Sequence, residues 1–215
     1  MTWAAIIPSR RDTKVLACVD SLRAIQPDMA PEQVVIVSDG LSQQVRAFLG
    51  AKWVDGKRPF VFSEAINAGA RAAGDSDLFI CGDDVVFASP GMVDHLQARS
   101  GGVAAIAPEV AGTCGQPEQR TNSTATRTNW LMFICVYIPR EAWDVIGELD
   151  ERFVGYGCDD LDWSLRARSY GPLVIDHDVS VIHDGPSTFR SLPDWRHLYE
   201  QNKQVFRDKW QGATP

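Results

Sequence analysis

Apolar positions along the chain come in short runs of strand length, separated by stretches whose apolar residues recur every three or four positions. Residues 3–8 (WAAIIP), 34–37 (VVIV) and 78–81 (LFIC) are continuous apolar runs that predict buried strands. Residues 13–26 place Val15, Leu16, Val19, Leu22 and Ile25 on one helical face, and residues 63–73 form a helix rich in small residues that stops at Gly74. A short helix over 42–48, a small strand over 52–54 and a helix starting at Pro90 complete the first half. Strands that alternate with helices in this way predict βαβ units, hence a largely parallel sheet covered on both faces.

The second half is less regular. Strands are expected at 103–107, 130–138, 173–175 and 179–182, helices at 141–146 and 161–169, and an amphipathic helix at 194–210. Between them, residues 108–128 (PEVAGTCGQPEQRTNSTATRT) are polar and without periodicity. Segments of that length are commonly lids, binding loops or disordered. No linker or repeat divides the chain, so residues 1–215 read as one α/β domain with halves 1–100 and 101–215.

Composition narrows the function. The chain has 215 residues and a net charge of -7, from 21 basic and 28 acidic side chains, which argues against sequence-independent nucleic-acid binding. No apolar run is long enough for a transmembrane segment, and the opening residues do not read as a signal peptide, so the expected setting is cytoplasmic. The cysteines, at 18, 81, 114, 135 and 158, are odd in number, scattered and without a CxxC pair, and read as reduced packing residues.

In parallel sheets ligands bind beyond the carboxyl ends of the strands. Three segments follow predicted strands there: Ser9-Arg10-Arg11, Ser38-Asp39-Gly40 and Gly82-Asp83-Asp84. Adjacent carboxylates at a strand end are costly to half-bury without a cation or donors, although one Asp capping a turn is the plainer account. A second acidic cluster lies in FVGYGCDDLDWSLR, residues 153–166. Helix capping explains one of Asp159, Asp160 and Asp162, but three acids beside an aromatic, glycine-kinked loop point to a general base and its supports. His183 ends the strand VSVIH, whereas His95, His177 and His197 lack such context. Asn67 and Arg71 share one helix face, and Arg is a common diphosphate partner.

The order of these segments resembles the family-2 inverting glycosyltransferases of GT-A fold. IIPSRRDTKVLACVDSL is similar to their first strand, turn and helix, and VVIVSDG to their second strand with its nucleotide-contacting Asp. FSEAINAGARAAGDSDLFICGDDVVFASPGMVDHL resembles their Asn-x-Gly helix and metal-site strand. NWLMFICVYIPREAWDVIGELDERFVGYGCDDLDWSLRARSYG is similar to the acceptor-side block. Within it, FVGYGCDDLD looks like the Phe-x-Gly-Trp-Gly motif of β-1,4-galactosyltransferase relatives, and VIHDGPSTF is similar to a late metal-binding His segment.

That resemblance implies transfer of a sugar, by default a hexosyl group from a UDP-sugar, to a hydroxyl of a carbohydrate or glycosylated acceptor, with inversion. Pro8, Ser9, Arg10 and Asp39 would bind the nucleoside, Asn67 and Arg71 would support the nucleotide or its phosphates, and Asp83 would lie next to the sugar or ribose. Asp84 and His183 would hold a divalent metal, Mn2+ or Mg2+. Asp160 would be the base, flanked by Asp159 where the family usually has Glu. One departure stands out: Gly82 occupies the position of the first acid of the family's Asp-x-Asp. It keeps open the alternative of a catalytically inactive nucleotide-sugar or glycan-binding protein of the same fold. A nucleotidyltransferase would want a Gly-rich phosphate loop after the first strand, and Ser9-Arg10-Arg11 has no glycine. Residues 108–128 are expected to help choose the acceptor.

Overall fold

A computed structural model describes residues 2–183 and 194–211. The strands are β1 (Trp3–Ser9), β2 (Val34–Ser38), β3 (Lys52–Asp55), β4 (Asp77–Cys81), β5 (Val85–Phe87), β6 (Ala105–Gly112), β7 (Arg127–Thr128), β8 (Cys135–Ile138) and β9 (Leu173–His183). The helices are α1 (Asp12–Ile25), α2 (Gln43–Leu49), α3 (Phe62–Ala72), α4 (Met92–Arg99), α5 (Arg140–Ile146), α6 (Asp159–Ala167) and α7 (Trp195–Lys209).

All nine strands form one sheet in the order β3-β2-β1-β4-β8-β6-β9-β5, with β7 added on β9. The strands β3, β2, β1 and β4 run parallel, as the alternating pattern predicts. Beyond β4 the sheet is mixed: β8 is antiparallel to β4 and β6, while β6 and β9 are parallel. Side chains alternate between two cores. Ala5, Ile7, Phe79 and Cys81 face α1, α2 and α4, whereas Ile6, Leu78 and Ile80 face α3, α5 and α6.

Close packing of α3 depends on one small residue. A Cβ on Gly69 would lie 2.4 Å from Ile6 Cγ2 and 3.2 Å from Val37 Cγ2. The glycine therefore lets the helix sit directly on β1 and β2, whose ends carry the site.

The second half departs from the sequence reading in three places. The apolar run 130–138 is extended strand only at Cys135–Ile138, because Trp130–Ile134 bonds instead with side chains of the preceding segment. The two short strands at 173–175 and 179–182 are one, β9, whose pairing with β6 shifts register at Pro108/Glu109. That shift absorbs the polar interruption which divides them in sequence. Residues 108–128 are not an open loop. Their first part extends β6, and the rest is pinned from inside by Gln116 and Gln119, both essentially fully buried. The Gln119 amide exchanges hydrogen bonds with the Met132 backbone at 2.6 and 3.2 Å, and Gln116 Nε2 donates to the Trp130 carbonyl at 2.7 Å. Polar composition here marks buried amides that replace ladder hydrogen bonds.

Among the described residues, no helix is long and apolar enough to cross a membrane.

Replacing Gly69 by Val should destabilise the protein by about 2 kcal/mol through overpacking against Ile6 and Val37. Urea titration reads this as a lower midpoint at unchanged slope; an unchanged midpoint would mean that α3 is not seated on glycine.

Candidate active site

Because β1, β2 and β4 are parallel neighbours, the residues that follow them emerge side by side. The Asp39 N–H donates to the Ser9 carbonyl at 2.9 Å, and Ser9 Oγ donates to Asp83 Oδ2 at 2.7 Å. Three strand ends are thereby joined into one polar rim. Asp39 is buried and held from two sides, by Arg10 Nε at 2.8 Å and Arg58 Nε at 2.9 Å. Arg11 lies 3.7 Å from Asp83, and the charge of Lys14, one turn into α1, acts on both Asp83 and Asp84. Burial raises the Asp83 carboxyl above its ordinary value, and the Ser9 hydroxyl offsets part of that.

His183 reaches this rim through sheet pairing. Antiparallel pairing of β5 with β9 sets His183 opposite Val85, the residue after Asp84. Its Nδ1 lies 2.5 Å from the Thr113 carbonyl, so that nitrogen carries the proton, since a carbonyl only accepts. Nε2 then faces Asp84 Oδ1 at 3.4 Å. A lone pair and a carboxylate this close need something positive between them, either a second proton on the ring or a shared cation. Burial would raise Asp84, but the hydrogen bond and charge of His183 outweigh it and hold the carboxyl below its ordinary value. An imidazole oriented by a carbonyl and aimed at a carboxylate is a donor set that fits a divalent ion. The expected pair, Asp84 and His183, is therefore brought together.

Among the described residues, the grouping of three potential metal ligands is elsewhere: His95, Asp176 and Asp178, on α4 and the first half of β9. There Arg99 Nε already sits 2.7 Å from Asp176 Oδ2, and His95 Nε2 sits 3.1 Å from the same oxygen. The guanidinium supplies the positive charge that Asp176 needs.

The second acidic cluster starts α6. Cys158 precedes it with φ 70°, an unusual conformation for a residue with a Cβ, and this turn sends Asp159 and Asp160 inward from the helix start. Asp160 accepts backbone N–H bonds from Leu161, at 2.8 Å, and from Phe133. Asp159 Oδ1 accepts from Gly157 N–H at 3.2 Å, while its buried Oδ2 has no hydrogen-bond partner among the described residues. Burial raises both carboxyls, and the neighbouring Asp160 charge raises Asp159 further. The third acid, Asp162, is fully buried and neutralised by Arg166 and Lys209, so it anchors the helix.

The two clusters meet through backbone. Gly82 N–H donates to the Ile134 carbonyl at 2.9 Å, one residue from the Phe133 N–H that binds Asp160. Tyr156 lies between them. Its ring packs on Phe60 and Phe62 at 5.2 and 5.6 Å, and its hydroxyl is raised by burial and then by the charges of Asp83, Asp84 and Asp159.

Asn67 and Arg71 behave differently from the expectation. Asn67 is fully buried and ties α3 to the segment after α5. Its amide donates to the Leu149 carbonyl and Glu151 Oε1, and its carbonyl accepts from Leu149 N–H, at 2.9 to 3.0 Å. Arg71 is paired with Glu148 at 2.5 Å and Glu151 at 3.5 Å. Both hold the two halves together, because every strong bonding direction they have points at residues 148–151. Pro8 lies buried within β1, and its site neighbour is Ser9. Four groups at the rim were not singled out from sequence: Arg11, Lys14, Arg58 and Thr113. Arg11 stood in the quoted turn, but no local signal links Arg58 to Asp39 or a threonine carbonyl to His183. Residues 184–189, the DGPSTF part of the late His segment, lie outside the described residues.

No protein-family model and no curated protein matches the sequence. Solved structures do match its shape. GalNAc-T7, solved with UDP, GalNAc and Mn2+, superposes on the whole chain with a TM-score of 0.72 at 14% identity. The fold is GT-A. A mannosyltransferase from Pyrobaculum calidifontis in complex with GDP-Man and Mn2+ gives 0.70 at 15% identity over 99% of the chain. TarS from S. aureus, residues 1–349, gives 0.66 at 12% over 99%. The chain spans 52% of the GalNAc-T7 chain, 65% of the mannosyltransferase and 73% of TarS. In this GT-A chain the strand-end rim and the acid pair are linked through the Gly82–Ile134 hydrogen bond and the adjacent Phe133 N–H.

The raised acid pair has a stability signature. A carboxyl raised on folding contributes stability below its unfolded value and loses it as pH climbs through the raised folded value. Asp159→Asn should therefore raise the melting temperature relative to wild type at pH 8, and the difference should shrink or reverse at pH 5. A variant equally destabilised at both pH values would show that the pair is not strained by ionisation.

Proposed function

We propose that this chain is a nucleotide-sugar-dependent glycosyltransferase acting with inversion. One observation carries the reading: in a GT-A fold, a His-and-carboxylate rim at the strand ends is linked by backbone hydrogen bonds to a pair of carboxyls that burial raises above their ordinary values. Ser9, Arg10 and Asp39 bind the nucleoside, with Pro8 fixing the backbone of that turn. Arg58 is a further donor beside Asp39, and Arg11 and Lys14 bring positive charge to the phosphates. Asp83 lies next to the sugar or ribose. Asp84 and His183 would hold a divalent ion, Mn2+ or Mg2+, which would supply Lewis-acid stabilisation of the departing nucleoside diphosphate.

Asp160 is the general base. Residue Asp160 is only partly buried, whereas Asp159 is buried and supports it. As the acceptor oxygen bonds to the anomeric carbon, Asp160 takes its proton and the bond to the diphosphate oxygen breaks. A single displacement of this kind inverts the anomeric centre, with no covalent sugar on the enzyme. The donor is a UDP-sugar by analogy, the group transferred a hexosyl, and the acceptor a carbohydrate or glycosylated molecule.

Thermal unfolding with UDP, GDP, CDP and TDP, each with Mn2+, Mg2+ or EDTA, tests the donor side. A nucleotide at a hundred times its dissociation constant adds about 2.7 kcal/mol. A shift for one base that needs the metal supports the reading, whereas no shift with any nucleotide overturns the donor assignment.

On the acceptor side, Asp160→Asn should lower the rate of transfer by about 10²–10⁴-fold while leaving nucleotide binding intact. Wild-type protein that binds the nucleotide but turns over no donor with any glycan would favour the inactive, binding-only alternative.

A further inference from the structure

Helix α7 contributes almost nothing to either apolar core. Its one fully buried side chain is polar: Asn202, with no exposed surface. That amide is spent on the loop before the acid pair. Asn202 Oδ1 accepts from Val154 N–H at 3.0 Å, and Nδ2 donates to the Val154 and Tyr156 carbonyls at 2.8 and 3.0 Å. The side chain thus acts as a strand partner for residues 154–156, which have no sheet neighbour. Glycines let the helix come close. A Cβ on Gly157 would lie 2.9 Å from the Tyr199 ring, and one on Gly155 would lie 3.3 Å from Leu198.

The far end of the helix holds the other side of the acid pair. Lys209 Nζ lies 2.8 Å from both Asp162 and Asp150, and Trp210 Nε1 donates to Asp162 Oδ1 at 2.9 Å. Asp162 stands in the first turn of α6, immediately after Asp159 and Asp160. Residues 154–157 and the start of α6 are therefore gripped from one helix, with the acid pair between the grips. The link from grip to acid is short, because Gly157 N–H, next to the clamped Tyr156, donates to Asp159 Oδ1.

We propose that α7 is a clamp on the acceptor-side loop and that Asn202 is a positioning residue, fixing the Val154–Gly157 backbone and through it Tyr156, Asp159 and Asp160. The part played by Asp160 rests on the glycosyltransferase reading, but the clamp itself does not.

The experiment compares wild type with Asn202→Ala, the milder Asn202→Ser and, as a control on the exposed face of α7, Gln201→Ala. The first readout is NMR titration of 13C-labelled Asp carboxyls, at a temperature where circular dichroism shows each protein folded. The second is steady-state transfer from UDP-hexose donors. Around the acid pair stand Tyr156 and Cys158 on its own segment and Cys114 on the segment after β6, and the charges of Lys203 and Arg207 on α7 reach the neighbouring Cys158. Moving those two cations away from the segment can only raise a neighbouring carboxyl. A downward move therefore reports entry of water as the loop loosens.

The clamp predicts that Asn202→Ala and Asn202→Ser bring the titration of Asp159 and Asp160 down toward the ordinary carboxylate range. It also predicts a kcat lower by about tenfold or more with nucleotide affinity within about twofold, and Gln201→Ala unchanged in both. Folded Asn202 variants that titrate and turn over like wild type, with only a lower melting temperature, overturn it. If Asn202→Ala does not fold, Asn202→Ser decides. A wild type without transfer activity, but with the titration shift present in the variants, would sink the glycosyltransferase reading and leave the clamp standing.

Discussion

The pairing of β4 with β8 is the constraint on which the site depends. Four parallel strands end together at Ser9, Ser38, Asp55 and Cys81, and a βαβ sheet would ordinarily continue with another parallel strand. Here β8 enters antiparallel instead, with Cys135 opposite Cys81. The chain leading into β8 therefore passes over the carboxyl end of β4, and Gly82 bonds to Ile134 there. That single reversal delivers the Phe133 N–H to Asp160 at the same edge where Asp83 and Asp84 emerge. Without it the acid pair would have no route to the strand ends.

The site spends its carboxylates in different ways, and solvation explains the division. Asp39 is neutralised by two guanidinium groups and Asp162 by Lys209 and Arg166, while Asp84 faces the imidazole of His183. Among the described residues Asp159 and Asp160 have backbone donors but no salt-bridge partner, so burial raises both carboxyls. Groups in a polar rim with cations suit an anionic ligand, while acids buried without cations suit proton transfer. One region thus holds two electrostatic environments of opposite use, with the charges of both acting on the Tyr156 hydroxyl.

Much of this was legible in the sequence, and the boundary of legibility has a physical cause. The parallel half shows because each strand is buried on both faces and reads as an apolar run, which also places Asp39, Asp83 and Asp84 at strand ends. His183 could be put at a strand end but not opposite Val85, since antiparallel partners leave no spacing signature. Asn67 and Arg71 show the limit of face arguments. Their shared helix face is real, but the partner that face meets, residues 148–151, lies some eighty positions away, where local pattern carries no information. Residues 108–128 mislead for a related reason: buried glutamines that stand in for sheet hydrogen bonds have the same composition as a solvated loop.

Gly82 acquires a steric meaning from the same geometry. A Cβ at this position would lie 2.8 Å from Asp84 Oδ1, the oxygen that faces His183. A side chain there would require the Asp84 carboxylate to shift, so Gly82 leaves room for the close Asp84–His183 approach. Fewer negative ligands leave less charge to attract a divalent ion, but the rim carries Arg11 and Lys14 toward Asp83 and Asp84. In the proposed reaction the departing diphosphate would meet those cations directly. Stabilisation of the leaving group is then shared between protein cations and metal, which makes the glycine compatible with turnover and not by itself a mark of an inactive site.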